Sequence, residues 1–167
     1  MRASMSLAVR FTVLDNPEAP GGKSAVPIYR GSRKNGTREF TGRVAVFDKN
    51  SQAALWRRSV AEACRPNGRP LVRLDGPLVV RMFFTLHRPA SITRTKRPYP
   101  MVRPDVDNLM KPTNDAITAS GLWKDDALVI SSISSKAYAE WSHPDGTPAL
   151  NEPGCVVEIF RIGPPSS

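Results

Sequence analysis

Hydrophobic and polar positions alternate along several short stretches of this chain, and the alternation predicts its strands. In 78–87, Leu78, Val80, Met82, Phe84 and Leu86 share one side, while Arg81, Thr85 and His87 share the other. That is the period of a half-buried strand. The runs 9–14 (VRFTVL), 25–30 (AVPIYR), 37–47 (TREFTGRVAVF) and 155–162 (CVVEIFRI) read as further strands between Pro, Gly, Asn and Asp punctuation. Val129, Ile133 and Ala137 suit another strand after Asp126. Asn35-Gly36 is a turn signal, so 25–30 and 37–47 are expected to pair as a hairpin with a basic tip.

The period lengthens over 51–65, where Ala53, Trp56, Val60 and Ala63 fall on one helical face. Ser51 is placed to cap that helix and Pro66-Asn67-Gly68 to stop it. A second helix is predicted over 107–120, with Leu109, Ala116 and Ile117 inward and Gly121 as terminator. Pro112 fits a helix only near its first turn, so it is expected to delay or kink the start. Between these elements, 88–104 loses all periodicity and holds five cations, four prolines and no acid. This reads as a mobile basic loop that a ligand would order. The segment 142–154 is rich in Pro, Gly and Asp, and residues 163–167 read as a frayed tail. With no internal repeat and no linker, residues 1–167 are expected to form one domain.

Charge changes this picture. The net charge is +9, but it divides unevenly: 20 cations face 6 acids over residues 1–104, and 4 face 9 over 105–167. A basic body suits phosphate backbones, whereas an acidic focus repels them unless a cation sits in it. Arg30, Arg33, Lys34 and Arg38 crowd the predicted hairpin tip, and Arg94, Lys96, Arg97 and Arg103 populate the loop. All eight are candidate DNA contacts. Tyr99, between prolines, is placed either to stack on an exposed base or to pack on its own loop. No apolar run reaches the length of a membrane helix, and the N-terminus lacks a signal-peptide pattern. Cys64 and Cys155 lie outside any metal-type spacing and read as buried or idle thiols of a reducing compartment.

The acids begin in RPDVDNLMK (103–111). Asp105 and Asp107 stand two apart, and Asp107, Lys111 and Asp115 follow at helical spacing. Asp125 and Asp126 stand at the mouth of the next strand. Clustered carboxylates repel, which either raises their pKa values or demands a cation, and hard oxygens suit Mg²⁺, with Mn²⁺ as a substitute. Such an ion neutralises a phosphodiester and activates water, and a neighbouring lysine offsets charge on the reacting phosphate. Two plainer readings stay open: Asp105 and Asp107 as helix caps, and Asp125-Asp126 as a turn. An EF-hand is excluded, because Met110 and Ala116 stand where that loop needs Gly and Glu.

The run R-P-D-V-D-N-L-M-K-P-x-x-D-A-I-x-x-x-G-L-W-K-D-D-A-L-V resembles the RusA family of Holliday junction resolvases. The resemblance implies a small α+β fold with a mixed sheet of about five to six strands and two main helices, acting as a homodimer. It implies a crossover junction endodeoxyribonuclease that uses Mg²⁺ and makes paired symmetric nicks in branched DNA. Matched to the motif, Asp105, Asp107, Lys111 and Asp126 are the catalytic residues. The three aspartates would hold the metal, with Asn108, Asp115 and Asp125 in support. It also implies work in the cytoplasm of a bacterium, or of a phage's host, in recombination and repair. A non-catalytic DNA-binding module and a nuclease for flaps or other branches are the competing classes.

Overall fold

The structure, a computed structural model, describes residues 3–21, 23–30, 39–48 and 51–165. Its strands are β1 (Ala3–Val13), β2 (Lys23–Arg30), β3 (Glu39–Asp48), β4 (Leu78–Leu86), β5 (Val129–Tyr138) and β6 (Gly154–Pro165), and its helices are α1 (Ser51–Cys64) and α2 (Val106–Ser120). Four strands form one mixed sheet in the order β1-β6-β4-β5. Only β4 and β5 within it run parallel. β2 and β3 pair antiparallel as a separate ribbon, which is the expected hairpin. Its tip, with Arg33, Lys34 and Arg38, lies outside the described residues. The fold is thus α+β, as the resemblance implied. β6 continues through Pro165, so residues 163–165 belong to a strand where the sequence suggested fraying.

Alternation in β4 sets the core. Leu78, Val80, Met82, Phe84 and Leu86 are all buried beneath the two helices, which pack on one another. Trp56 of α1 joins the layers: its ring meets Phe84 at 6.4 Å, and its Nε1 donates to Thr113 Oγ1 of α2 at 3.1 Å. The other face of β4 departs from the half-buried expectation. Phe83 and Thr85 are buried as well, because the chain after β5 folds back over them. Ala139 N–H donates to the Leu86 carbonyl at 3.0 Å, and Leu150 N–H donates to Thr85 Oγ1 at 3.1 Å. The segment 142–154 is therefore part of the cover of the sheet. Gly154 is required where it meets β1, since a Cβ there would strike the Val13 carbonyl oxygen and approach Leu150 Cδ1 to 2.8 Å.

Within that cover, His143 is buried and edge-on to Phe83 at 5.2 Å. Its Nδ1 lies 2.8 Å from Ser135 Oγ, and its Nε2 is buried without a hydrogen-bond partner among the described residues. Burial lowers its pKa, against a smaller opposing pull from Asp145. Below the unfolded value of about 6.5 the unfolded chain takes up a proton that the folded chain resists. Stability is therefore present above that pH and falls as pH drops through it. Melting temperatures recorded from pH 7.5 to 5 should fall in the wild type and fall less in His143→Gln.

The cysteines are buried free thiols. Burial pushes Cys64 up to about 12 against a smaller effect of Ser120, and it raises Cys155 too. Neither is a reactive nucleophile.

Candidate active site

The second helix starts earlier than Pro112 suggested. α2 begins at Val106 and runs through a buried Pro112 in its second turn. Proline has no N–H, so the carbonyl of Asn108 loses its helical donor. Gly121 closes the helix at φ +77°, where its N–H donates to Thr118 O at 3.0 Å.

Asp105 occupies the N-cap position, yet its carboxylate accepts no capping hydrogen bond. Asp107 follows in the first turn, and both are exposed. Asp105 also lines an open cleft of about 360 Å³ with Glu18, Pro20, Arg103, Pro104 and Asn108. Further along α2, Lys111 is exposed and pairs with Asp115 at 3.7 Å. At the start of β5, Asp125 accepts a hydrogen bond from Ala127 N–H at 2.8 Å and caps a short 3₁₀ turn. Asp126, the next residue, is exposed, and no hydrogen bond to its carboxylate is formed among the described residues. The turn reading thus accounts for Asp125 but not for the Asp126 carboxylate, and the cap reading does not use Asp105.

Topology separates these carboxylates. Because β4 and β5 run parallel, α2 must carry the chain from the end of one strand back to the start of the other. Near the finishing end, Lys136, paired with Phe84, donates from Nζ to the carbonyls of Val102 at 2.6 Å and Pro104 at 2.8 Å. Near the starting end, Leu74 N–H donates to the Leu122 carbonyl at 2.8 Å. A helix of 15 residues spans about 22 Å. Asp105 and Asp107 therefore stand at one end of α2 and Asp126 at the other. Among the described residues, one protomer does not gather Asp105, Asp107, Lys111 and Asp126 into a single site.

Consistent with that separation, no three His, Cys, Asp or Glu side chains among the described residues come close enough to hold a metal ion. The donor chemistry nevertheless fits Mg²⁺. This ion keeps several waters and is held by one or two carboxylates plus substrate phosphate, not by a closed protein cage. Asp105 and Asp107 present hard, exposed oxygens of that kind.

Comparison with known families now decides the assignment. Residues 29–143, well over half of the chain, match the family described as Endodeoxyribonuclease RusA. This chain belongs to the RusA family. No curated protein matches it. The RusA match runs from Tyr29 near the end of β2 to His143 in the sheet cover, and so includes α2 and both of its acidic ends.

The cations of this RusA-family chain are placed in different ways. Arg30 ends β2 and is exposed, as are Lys96 and Arg103, whereas Arg97 is half-buried. Arg94 is tied into the fold: its guanidinium lies 5.5 Å from the Trp141 ring centroid and donates to the Glu140 carbonyl at 3.2 Å. Arg88 takes another position over the same ring at 5.6 Å. The loop 88–104 thus carries built-in anchors on Trp141, and turns such as Ile92 N–H to Pro89 O at 2.9 Å. Tyr99 is exposed.

Sequence reasoning missed two features. Glu18 reaches the Asp105 cleft only through tertiary packing, and its nearest signal was the turn Asp15-Asn16-Pro17. A larger cleft of about 570 Å³ lies at the other end of α2, where Arg65, Arg73 and Lys124 line it beside Gly121 and Trp123. Its cations come from three separate segments, so no local charge run announces them.

Proposed function

We propose that this RusA-family chain is a Mg²⁺-dependent endodeoxyribonuclease that resolves four-way DNA junctions by paired nicks. It works as a homodimer in which Asp105 and Asp107 of one protomer meet the partner's Asp126. One observation carries the reading. Asp105, Asp107 and Asp126 are exposed and bear no capping bond or ion pair among the described residues, while their neighbours Asp115 and Asp125 are occupied by an ion pair and a turn. Folding uses the supporting acids and leaves the motif acids available.

The separation of Asp105 and Asp107 from Asp126 along α2 supports the dimer. An isologous pair places residue i against j and j against i, so two antiparallel α2 ends can complete two identical sites. Apolar surface supports contact near Asp126, since Ile130 and Ile133 of edge strand β5 are 64% and 51% exposed. The ribbon adds Val26, Ile28, Phe40 and Val44, all exposed, and such patches mark interaction surfaces.

Bound Mg²⁺ would be held by Asp105 and Asp107 together with the partner's Asp126, and would supply neutralising charge and an acidified water. The chain's own residues do the rest. Lys111, loosely tethered by Asp115 on the exposed face of α2, is free to swing onto the reacting phosphate. Arg103, beside Asp105 in the cleft, and the cations of the cleft near Asp126 hold flanking phosphates. Asn108 lines the same cleft as Asp105. Among the described residues, no helix is long and apolar enough to cross a membrane. A junction substrate would fit work in the cytoplasm of a bacterium or of a phage's host, in recombination and repair.

The test is direct: labelled four-way junction, flap and linear duplex, each with and without Mg²⁺, resolved on denaturing gels. Symmetric nicks in the junction, dependent on Mg²⁺, are expected. Preference for the flap, or binding with no cleavage, would overturn the assignment.

A further inference from the structure

We propose that Lys136 is a positioning residue that sets the Asp105–Asp107 pair in place, an inference that rests on the nuclease reading above. Lys136 lies on β5, remote in sequence from the acidic motif. Its stem runs partly buried along the sheet, and its ammonium ends on two backbone carbonyls, Val102 at 2.6 Å and Pro104 at 2.8 Å. Hydrogen bonds from an ionised donor are the short, strong kind. The second acceptor is the decisive one: the Pro104 carbonyl belongs to the peptide unit whose nitrogen is that of Asp105. Fixing that plane fixes the direction in which α2 starts and where its first two acids point.

Few other hydrogen bonds hold this junction among the described residues. Residues 98, 100 and 104 are prolines without N–H donors. Among the described residues, these two bonds are the ones that tie 98–104 to an element beyond its own neighbours. The Asp105 carboxylate makes no capping bond, and the first helical bond, Leu109 N–H to the Asp105 carbonyl, is long at 3.2 Å. A lysine at this end of α2 would be expected to pair with a carboxylate. Lys136 is instead committed to neutral carbonyls, so it brings positive charge near the site without occupying the oxygens that a cation or phosphate partner needs.

Lys136→Met keeps the apolar stem and removes the donors, and Lys136→Arg keeps a charged donor. Hydrogen exchange on the full chain is the readout independent of activity. In Lys136→Met, amides of 101–111 should exchange about tenfold faster, with β4 and β6 unchanged, and Lys136→Arg should restore much of the protection. In junction nicking, Lys136→Met should lower kcat roughly 10- to 100-fold, as loss of a supporting partner does at metal sites. It should also raise the half-saturating Mg²⁺ concentration and leave KM for the junction near wild type. Unchanged exchange across 101–111, or faster exchange spread evenly over the whole sheet, would overturn the positioning role. If the wild-type protein itself fails to nick, the nuclease reading falls, and the exchange experiment still decides what Lys136 holds.

Discussion

Asp107→Asn should bind a labelled four-way junction as tightly as wild type and nick it roughly 10²–10³-fold more slowly, the scale of losing a group that stabilises transition-state charge. Asp107 stands in the first turn of α2, exposed, so an isosteric amide disturbs no packing. Stability should stay within about 0.5 kcal/mol of wild type, as for surface changes away from special features. What disappears is one hard, charged oxygen donor. DNA affinity, if carried by exposed cations such as Arg30, Lys96 and Arg103, should keep its dependence on salt. Gel shift, melting and nicking on one preparation separate these quantities. Wild-type nicking by Asp107→Asn would remove the proposed mechanism.

Asp126→Asn should be equally inactive alone, and the two inactive proteins should rescue one another. If each site takes Asp105 and Asp107 from one protomer and Asp126 from its partner, a mixed dimer carries both substitutions in one site and none in the other. A mixed dimer purified through two different tags should recover roughly half of wild-type nicking, given two-fold symmetry. It should cut one strand per binding event, leaving nicked junctions in place of resolved duplexes. Sites built within single chains would give one defect in each, and mixing would recover nothing. The contrast is large, because the recovered activity is measured against two backgrounds lowered by about 10²-fold or more.

Much of the fold was legible along the chain because periodicity reports burial directly. Leu78 to Leu86 alternate since one face of β4 must meet the helices, and Trp56 falls on the stripe that does so. The second buried face of β4 was not legible. Phe83 and Thr85 are covered by a loop some 60 residues later, and a loop has no period to announce what it covers. Pro112 misled for a related reason. A lost helical bond costs less when the proline ring itself is buried against the core, so tertiary packing kept the helix intact through it.

The same division holds at the site. The order and spacing of residues 103–129 were sufficient to name the family and to nominate Asp105, Asp107, Lys111 and Asp126 as candidates, because residue identity is what a motif records. Which acids are left available was decided by local geometry: Asp125 accepts the turn N–H while Asp126 does not, and Asp105 starts a helix without capping it. Where those acids stand was decided by strand direction alone. Parallel pairing of β4 and β5 obliges α2 to cross between their opposite ends, setting Asp126 a helix length from Asp105. Strand direction depends on long-range pairing that no local pattern encodes, so a run that reads as one continuous motif becomes the two ends of a helix.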